Sequence, residues 1–557
     1  MSEQTLSPPR RLRRSVSART LEGRGIAVSA GRTAVVLDGA AAEQLWAAIE
    51  PVLRAGVAVP DLLDRLPAAA RPAAGGLLDQ LEEHALLCAA TAPAEGPLGE
   101  HFERTADDPA AASAAAARTA VEVGGDDAGL VAEILEAFAG TGLRVRASRT
   151  PAVPLPGAPG ATVTTYAPGA EPGDGDAGRS VLVLRAGDWR LVGPAPDSRG
   201  AREALRSWAT RARALAGPAN AARDGIADRL AGAQAVLDTL TTLSADRPGA
   251  PAATPARYHL TSPDVVSEVH PLVALPDLAP GGELLAPEVL IGHGAGGAGT
   301  DGDFLEQTEQ LWLGPLSPWS GPVPDDLPQL PVGLAVAGTA GHPVAEAGVD
   351  TADARAACVE RLAELAAAAS AAASDSATGP SGVIGVGRDP SHAVARAVSH
   401  WAHAHLTWAD PDEGRPETLP GSPFARRLWT ALTIREGVVA STRTRTATVE
   451  GAPDLVLVEV LDAAGGVLGS GLATTAAAAL DEALVPAVGS ALAQGDPRTT
   501  VESAPRPRLE PTRLALAAWA AAAHVEVRRP GGAAGWERLG LHPRTVTART
   551  SGSGTTS

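Results

Sequence analysis

Three segments of the chain follow one pattern, in which an apolar run leads through a glycine into a helix with alanines at fixed offsets. Glycine permits a tight turn, and alanine lets a helix pack closely on a sheet. Asp350, Thr351, Asp389 and Thr474 are good helix caps. We therefore predict strand–turn–helix pseudo-repeats within a C-terminal α/β domain, residues 276–500, and their irregular spacing argues against a solenoid. The three segments are Gly348–Ala354, Gly387–Ala393 and Gly471–Ala477.

The first 92 residues show strands followed by three helices. Two apolar runs within residues 24–40 flank a turn at Ser29-Ala30-Gly31, which indicates a β-hairpin. Apolar residues at helical spacing follow at 41–53, a second helix starts near Pro60, and a third is predicted from Arg71 to Cys88. This order is typical of a small winged helix-turn-helix domain, which we place at residues 1–92.

The next segment opens like a nucleotide-binding-type α/β domain, which we place at residues 93–275. Strand-like residues 119–123 lead through two glycines into an amphipathic helix, and residues 143–146 indicate a second strand. Asp126 and Asp127 stand where the helix N-terminus would meet a phosphate, and carboxylates there repel a nucleotide. We predict a degenerate Rossmann-type domain that binds no cofactor at this turn.

Three further stretches carry little secondary-structure pattern. Residues 149–179 are rich in Pro and Gly, and residues 366–382 are rich in Ala and Ser, so both are predicted to be loops. Residues 501–557 are predicted to form a C-terminal extension that ends in a disordered tail from Ser551.

Charge is unevenly distributed along the chain. The net charge of -18 argues against nucleic acid as the main partner, because phosphate binding needs clustered Lys and Arg. Residues 1–35 nevertheless carry seven arginines against two glutamates. Two interpretations stay open: a solvated N-terminus, or a patch that attracts an acidic peptide.

The cysteine content and the absence of targeting signals indicate where the protein works. Cys88 and Cys358 lie far apart in apolar, helix-like sequence, so each is predicted to be a buried reduced thiol. Two cysteines cannot build a disulfide framework or a thiolate zinc site. No secretory signal occurs and no apolar run reaches membrane-spanning length. We expect a cytoplasmic protein that does not contact membranes.

Motifs for catalysis are weak. Gly294–Gly299 formally matches a GxGxxG pattern, but a flexible loop is the preferred interpretation in a glycine-rich chain. Four histidines lie between His392 and His405, and a metal site there would recruit Asp410 or Glu413; an ordinary amphipathic helix is the alternative. The sequence contains no GxSxG, HExxH or CxxC motif, so covalent catalysis has no candidate residue.

The order of these parts resembles the ThiF-like leader-binding proteins of azole-containing peptide pathways, including thiopeptide pathways. In that family a PqqD-like winged-helix precursor recognition element precedes a degenerate domain similar to ubiquitin-activating enzymes and a further C-terminal region. Many relatives hold structural zinc with two cysteine pairs, and both pairs are missing here, so no zinc is expected. The resemblance covers about residues 8–500. The matching segments are Leu12–Leu87, Ala120–Arg146, Leu191–Pro194, Val269–Ala274, Val332–Leu365 and Leu455–Leu484.

The resemblance implies a binding site for the leader of a ribosomally synthesised precursor peptide. The leader would add as a strand to the sheet edge at Arg32–Leu37 and fill a groove against the third helix. Arginines near this edge would attract an acidic leader. As an alternative, the leucines of the groove wall face only the core of their own domain. The predicted peptide-binding residues are Arg13, Arg14, Arg32, Thr33, Val35, Val36, Leu37, Leu77, Leu78, Leu81, His84 and Ala85.

The resemblance also implies that the catalytic work lies in a partner, a YcaO-type cyclodehydratase that uses ATP to form azolines in the core peptide. The chain itself is then not an enzyme, and a homodimer is left open. Two alternatives remain. An adenylating enzyme of the ThiF type would need an intact ATP site. A fused cyclodehydratase would need clustered Glu, Gln and Arg ligands for magnesium and phosphates, whereas the C-terminal third is expected to offer mainly Ala and Gly.

Overall fold

The computed structural model divides the chain into two compact units. The first comprises residues 1–195 and 212–271, and the second comprises residues 196–211 and 272–557. The four domains predicted from the sequence stay a prediction. The described residues are 8–22, 24–30, 33–39, 41–148, 160–166, 177–216, 221–244, 256–285, 300–324, 326–339, 342–374, 382–409, 412–414, 422–493, 501–523 and 525–547.

The first unit begins with a small sheet and three helices that share one core. Its elements are β1 (Arg10–Leu12), β2 (Ser17–Leu21), β3 (Gly25–Ala30), β4 (Thr33–Asp38), α1 (Ala42–Ala55), α2 (Val59–Asp64), α3 (Arg71–Glu83) and β5 (Leu87–Ala89). β3 lies between β2 and β4 in an antiparallel sheet, and β1 pairs with β5. The hairpin β3–β4 is the one that the sequence predicts, and α1 brings Trp46, Ile49 and Leu53 into the core.

The third helix ends earlier than the sequence predicts. α3 stops at Glu83, whereas the apolar spacing predicts a helix to Cys88. Ala85 has a positive φ of 53°, which interrupts a right-handed helix. Cys88 lies buried in β5 opposite Arg11. The prediction was wrong here because a short buried strand and a buried helical turn present the same run of apolar residues.

The rest of the first unit is built on a seven-stranded sheet. Its elements are α4 (Gly99–Thr105), α5 (Pro109–Arg118), β6 (Ala120–Gly125), α6 (Ala128–Phe138), β7 (Arg144–Ser148), β8 (Gly160–Tyr166), β9 (Ala177–Ala186), β10 (Trp189–Pro194), α7 (Arg199–Ala214, divided between the units after Arg211), α8 (Ala221–Ser244), β11 (Arg257–Thr261) and β12 (Ser267–Pro271). The strand order is β12-β11-β10-β9-β8-β6-β7. The predicted strand–helix–strand opening is β6–α6–β7, and only β6 and β7 are parallel among the pairings of this sheet. Among the described strands, the parallel unit β6–α6–β7 therefore lies at one edge of the sheet.

β8 contradicts part of the predicted loop at residues 149–179. This strand is buried along its length and pairs with β6 on one side and β9 on the other. Its sequence, GATVTTY, is rich in the β-branched residues that favour strands. The prolines and glycines around it hid a strand of ordinary length from the sequence pattern.

The second unit contains three antiparallel sheets with helices packed on them. The strand orders are β13-β22-β23-β17, β14-β15-β16 and β18-β19-β20-β21. Besides the first part of α7, its elements are β13 (Ala279–Leu284), α9 (Asp301–Thr308), β14 (Ser320–Val323), β15 (Gly333–Thr339), β16 (His342–Gly348), α10 (Thr351–Ser374), β17 (Val383–Gly387), α11 (Pro390–His405), β18 (Asp412–Gly414), α12 (Pro423–Thr430), β19 (Ser441–Ala447), β20 (Leu455–Leu461), β21 (Val467–Ala473), α13 (Ala476–Leu492), α14 (Glu510–Ala522), β22 (Glu526–Gly531), α15 (Ala533–Glu537) and β23 (His542–Thr547).

Three strands of this unit lead into helices at the segments that the sequence singles out. β16 leads into α10, β17 into α11 and β21 into α13. A Cβ atom on Gly348 would lie 2.2 Å from the backbone nitrogen of Ala354, and one on Gly387 would lie 2.5 Å from that of Ala393. These glycines are needed because the following helix approaches the strand end closely. That the three segments are repeats of one unit stays a prediction.

Side-chain caps start these helices: Asp350 and Asp389 are caps as the sequence predicts, whereas Thr351 and Thr474 are not. A carboxylate oxygen of Asp389 accepts a hydrogen bond from the backbone nitrogen of His392 at 2.8 Å. In α13 the cap is Thr475, whose hydroxyl accepts from the backbone nitrogen of Ala478 at 3.3 Å, and not the predicted Thr474.

Two stretches with weak patterns are more ordered than the sequence predicts. α10 continues to Ser374, into the stretch predicted to be a loop, because alanine is the strongest helix former. Within the C-terminal extension, α14, β22, α15 and β23 are folded, and β23 pairs with both β17 and β22. The tail from Ser551 lies outside the described residues.

The structure confirms the α/β class, with helices packed on several sheets. It also confirms that Cys88 and Cys358 are buried and unpaired. The winged-helix and ThiF-like identifications stay predictions. Throughout the described ranges, every helix is too short or too polar to cross a bilayer.

Candidate functional site

The predicted docking strand β4 has one free edge. β3 pairs with one side of β4, and no described strand pairs with the other. The backbone nitrogen of Gly39 donates to the carbonyl of Arg24 at 2.8 Å. Arg24 and Gly39 are therefore a hydrogen-bonded pair, and this pair sets the alternation along β3 and β4. Because such pairs alternate along antiparallel strands, Thr33, Val35 and Leu37 bond to β3.

The backbone groups of the alternate residues of β4 therefore point to the free edge. These residues are Ala34, Val36 and Asp38, whose N–H and C=O groups face away from β3. Val36 is 46% exposed, whereas the neighbouring Val35 is 4% exposed and faces the core. The edge thus offers unpaired main-chain groups and an apolar side chain, which are the features that a peptide uses when it adds to a sheet.

The three leucines predicted to line the groove face the core of their own domain. Leu77 and Leu78 are each 2% exposed, and Leu81 is fully buried. They pack in one cluster with Trp46 and Ile49 of α1. Their burial supports the alternative interpretation from the sequence, in which these side chains stabilise the domain.

The flank of α3 that lies opposite Glu82 is exposed. Glu82, on the other flank, forms an ion pair with Arg10 of β1 at 3.0 Å. Residues three or four apart share a helix face, so Ala73, Gln80 and His84 lie together on the flank opposite Glu82. α3 also contacts β4. We infer that this flank, and not the leucines, is the part of α3 that a strand beside β4 would meet.

Of the three arginines expected to attract a leader, Arg13 is withdrawn into the protein. Its guanidinium donates to the carbonyl oxygens of Ala85 and Ala106, each at 2.6 Å. Burial lowers the pKa of Arg13. Arg14 is exposed, and Arg32 lies outside the described residues. Ala85, whose backbone holds Arg13, is itself exposed at the end of α3.

Two more N-terminal arginines are engaged in internal ion pairs. Arg10 donates to Asp107 at 2.9 Å, and Arg11 donates to both carboxylate oxygens of Glu103 at 2.9 Å. The arginine-rich N-terminus therefore anchors β1 to the residues around α4, and fewer of its charges face solvent than the sequence suggests.

The turn before α6 is occupied by its own carboxylates. Asp127 caps α6 by accepting a hydrogen bond from the backbone nitrogen of Leu130 at 3.1 Å, and it pairs with Arg185 at 3.1 Å. Asp126 accepts from the backbone nitrogen of Gly160 at 2.7 Å. Both acids are part of the local structure, and their charge stands where a phosphate would lie.

The second unit holds a buried charged cluster that the sequence analysis missed. Four carboxylates face four guanidinium groups and one imidazole, and all of these residues are buried except Arg388, whose side chain is 8% exposed. They come from β16, α10, α11 and the segments that precede α11 and α14. The members are Glu346, Asp353, Glu360, Glu364, Arg388, His392, Arg396, Arg506 and Arg508.

Two glutamates of α10 form the centre of the cluster. Glu360 accepts hydrogen bonds from Arg388 at 3.1 Å and from Arg396 at 3.1 Å, and it lies 2.8 Å from Nδ1 of His392. Glu364, one helical turn later, accepts from Nε of Arg396 at 2.6 Å. The guanidinium of Arg396 therefore bridges both carboxylates.

A second group of charges joins the cluster from distant parts of the sequence. Glu346 of β16 forms an ion pair with Arg506 and accepts from Arg508 at 2.9 Å. Nε of Arg506 also lies 4.0 Å from Glu364. Glu346 and Arg508 are 162 positions apart in the chain, so this part of the cluster exists only in the folded protein.

Burial and mutual attraction set different pKa values for neighbouring groups. Burial raises the pKa of Glu360 to about 7, although Arg396 opposes this shift. Burial also acts on Glu364, but the attraction of Arg396 prevails and holds its pKa well below the ordinary value. Burial lowers the pKa of His392 well below its ordinary value, and nearby arginines lower it further.

The negative charges of the cluster are balanced by the arginines within it. Each carboxylate lies within ion-pair distance of a guanidinium, so a magnesium ion would have to displace an existing partner. Over the ranges that the structure describes, no three Asp, Glu, His or Cys side chains are placed to share a metal ion. His392 is buried in the cluster, whereas His403 and His405 are exposed on α11.

The expectation that the C-terminal third offers mainly Ala and Gly was wrong at this point. Charged residues within alanine-rich helices, such as Glu360, Glu364 and Arg396, are the signal that could have revealed the cluster, because charges are buried only when paired. Gly294–Gly299 and Asp410 lie outside the described residues, and the Glu413 side chain does as well.

Comparison with known proteins does not place the chain in a family. No family model and no curated protein matches the chain. Among solved structures it is similar to a heterocyclase in complex with substrate and cofactor (12% identity, TM-score 0.43, 97% of this chain and 94% of that one). It is also similar to the heterocyclase TruD (13%, TM-score 0.36, 97% and 94%) and to E. coli MccB with a succinimide (9%, TM-score 0.32, 48% and 97%). At these TM-scores the similarities carry no argument about the function of the chain.

Proposed function

We propose that the chain binds the leader of a ribosomally synthesised precursor peptide and presents the core peptide to a separate YcaO-type cyclodehydratase, which forms the azolines. The observation that carries this proposal is the free edge of β4 beside α3. A sheet edge with unpaired backbone groups is a binding site for an extended chain, because main-chain hydrogen bonds form with any sequence that can extend.

The geometry of β4 indicates how the leader would bind. Its backbone would pair with the outward N–H and C=O groups of Ala34, Val36 and Asp38. Successive side chains of a strand point to opposite faces, so every second leader residue would face the flank of α3 that carries Gln80 and His84. Main-chain pairing would supply affinity, and these alternate side chains would supply specificity.

Fewer arginines are available to attract an acidic leader than the sequence suggests. Arg13 bonds internal carbonyl groups and cannot meet a peptide without breaking them. Arg14 is exposed and stays in the proposal as a residue that attracts an acidic leader. Arg32 stays in the proposal from the sequence alone.

The proposal is tested by replacing Val36 with proline in the full chain. The Val36 N–H faces the free edge, so Val36→Pro removes one donor for the leader without removing a bond to β3. We expect affinity for a precursor leader encoded beside this protein's gene to fall by about fivefold to tenfold, since one net hydrogen bond is lost. Isothermal titration calorimetry measures this change.

Thr20→Pro is the matched control. Because β3 uses alternate residues for its two neighbours, the Thr20 N–H faces the open side of β2, the other edge of the same sheet. This variant should bind the leader like the unmodified chain. If Thr20→Pro weakens binding and Val36→Pro does not, the leader pairs with the edge of β2 and the proposal is wrong. The proposal also fails if the unmodified chain binds no leader.

A fused cyclodehydratase is the second candidate, and the buried charged cluster is the observation that favours it. The cluster supplies the grouped Glu and Arg residues that this function requires. Against it stands the internal pairing of every carboxylate in the cluster.

Incubation of the purified chain with precursor, ATP and magnesium distinguishes the two functions. We expect the precursor mass to stay unchanged until a YcaO-type cyclodehydratase is added, because each azoline ring forms with loss of one water. Loss of water from the precursor with this chain alone would establish the second candidate. Glu360→Gln would then abolish that reaction.

A further inference from the structure

A cavity of about 530 Å³ lies within the second unit. Its volume falls in the range of small-molecule binding sites, about 300–1,000 Å³. The first turn of α7, the segment before β13 and the outer face of α10 line it. This cavity lies in the other unit from the free edge of β4, and no step of the proposed function uses it.

The charges that line the cavity leave one positive group uncompensated. Glu346 pairs with Arg506 and Arg508, Glu502 pairs with Arg361 at 2.6 Å, and Glu203 pairs with Arg206 at 3.2 Å. The remaining acid, Asp277, accepts a hydrogen bond from the backbone nitrogen of Arg199 at 3.3 Å. Among the described residues, neither the carboxylate of Asp277 nor the guanidinium of Arg199 forms an ion pair, and Arg199 is the lining cation without a carboxylate partner.

The charge balance limits how negative a ligand can be. Four carboxylates line the cavity, Glu203, Asp277, Glu346 and Glu502, against the two guanidinium groups of Arg199 and Arg361. A nucleotide triphosphate would bring several negative charges against these acids. A single carboxylate matches the one free guanidinium, with which it forms two parallel hydrogen bonds.

The remaining wall suits an apolar body. Trp319 and Trp536 are buried, and Leu275, Val344 and Leu365 complete the apolar surface. The indole nitrogen of Trp536 donates to the carbonyl of Pro276 at 2.7 Å, which holds the ring against the cavity. Fixed aromatic and aliphatic walls favour apolar ligands because they bury surface at low entropic cost.

We propose that this cavity binds a small apolar molecule that carries one carboxylate, with Arg199 as the group that recognises it. The carboxyl end of an apolar peptide has this chemistry. The site is independent of the leader edge of β4, so either site can fail while the other stands.

Calorimetry of the full chain with N-acetyl-leucyl-phenylalanine and with its C-terminal amide tests the proposal. The free acid should bind at least about tenfold more tightly than the amide, because a charge-assisted hydrogen-bond pair is lost in the amide. In Arg199→Gln, acid and amide should bind equally. In Arg202→Gln, a control on the same helix that does not line the cavity, the difference should persist.

A filled cavity gives an independent check. Ala369 lines the cavity, so Ala369→Phe should abolish binding of both acid and amide while the circular dichroism spectrum stays unchanged. The proposal is overturned if acid and amide bind the unmodified chain equally, or if the acid keeps its advantage in Arg199→Gln. Displacement of the acid by ATP with higher affinity would also overturn it.

Discussion

Single buried charges decide much of the energy balance in the second unit. Arg396 donates to Glu360 and Glu364 at once, and all three side chains are buried. Burial opposes its charge, but the two glutamates raise the pKa of Arg396 above its ordinary value. The two glutamates stabilise the charge of Arg396, and Arg396 in turn stabilises the charges of the glutamates.

Replacement of Arg396 by methionine should therefore be strongly destabilising. The change keeps the apolar stem but leaves two carboxylates without their shared partner, and loss of one member of a buried ion pair costs about 3–5 kcal/mol. The unfolding free energy from urea denaturation measures the effect. Arg435→Met is the control, because Arg435 is 59% exposed and its pair with Glu436 should contribute less than about 0.5 kcal/mol. Equal stabilities for the two variants would contradict the role assigned to the cluster.

His400 on α11 gives the cluster a pH dependence with a definite sign. Burial lowers the pKa of His400 to about 4, Glu364 opposes this shift, and Arg506 adds to it. Between pH 6.5, the ordinary pKa of histidine, and about pH 4, His400 is protonated in the unfolded chain but not in the folded chain. Stability should therefore fall as the pH falls through this window.

His400→Gln should lose less stability than the unmodified chain between about pH 6.5 and pH 4, since glutamine does not titrate there. Urea denaturation at both ends of the window measures the difference. His403→Gln serves as the control, because His403 lies exposed on the same helix. A pH slope that is the same in His400→Gln and in the unmodified chain would show that this imidazole charges freely in the folded state.

At the scale of secondary-structure elements, close packing explains why glycine ends the strands before α10 and α11. The sequence suggested that glycine permits a turn. The structure gives a different reason, because a Cβ atom on Gly387 would lie 2.5 Å from the backbone nitrogen of Ala393. Ala393, in the first turns of α11, is fully buried, so a larger side chain there would be overpacked as well.

Gly387→Ala should destabilise the second unit by about 1–3 kcal/mol, because the added methyl group overpacks a contact with helix backbone. Thermal and urea denaturation both report this loss. Gly302→Ala is the matched control in the same unit: Gly302 is exposed on α9, and alanine there should be neutral or stabilise by up to about 1 kcal/mol. A neutral Gly387→Ala would mean that the helix can move away from the strand.

At the scale of the whole molecule, the net charge of -18 coexists with local charge balance. Arg10 and Arg11 of the N-terminus are paired within the first unit, and the arginines of the buried charged cluster are paired within the second. The excess negative charge therefore lies mainly on the surface, where it supports solubility and disfavours contact with nucleic acid.

The amino-acid sequence determined the local elements. The β3–β4 hairpin, α1, α6 and the strand-to-helix segments of the second unit follow from apolar spacing and turn residues, which act over a few positions. That one edge of β4 is free is instead a property of the fold, in which no described strand pairs with that side.

Only the tertiary structure decided which faces are buried and which charges meet. Leu81 could have lined a groove or the core, and α1 and the sheet decided for the core. Arg13 could have attracted a peptide, but the carbonyls of Ala85 and Ala106 hold it. Glu346 and Arg508 are brought together from 162 positions apart. The physical reason is that backbone preference is local, whereas burial and charge pairing depend on what the fold places opposite each side chain.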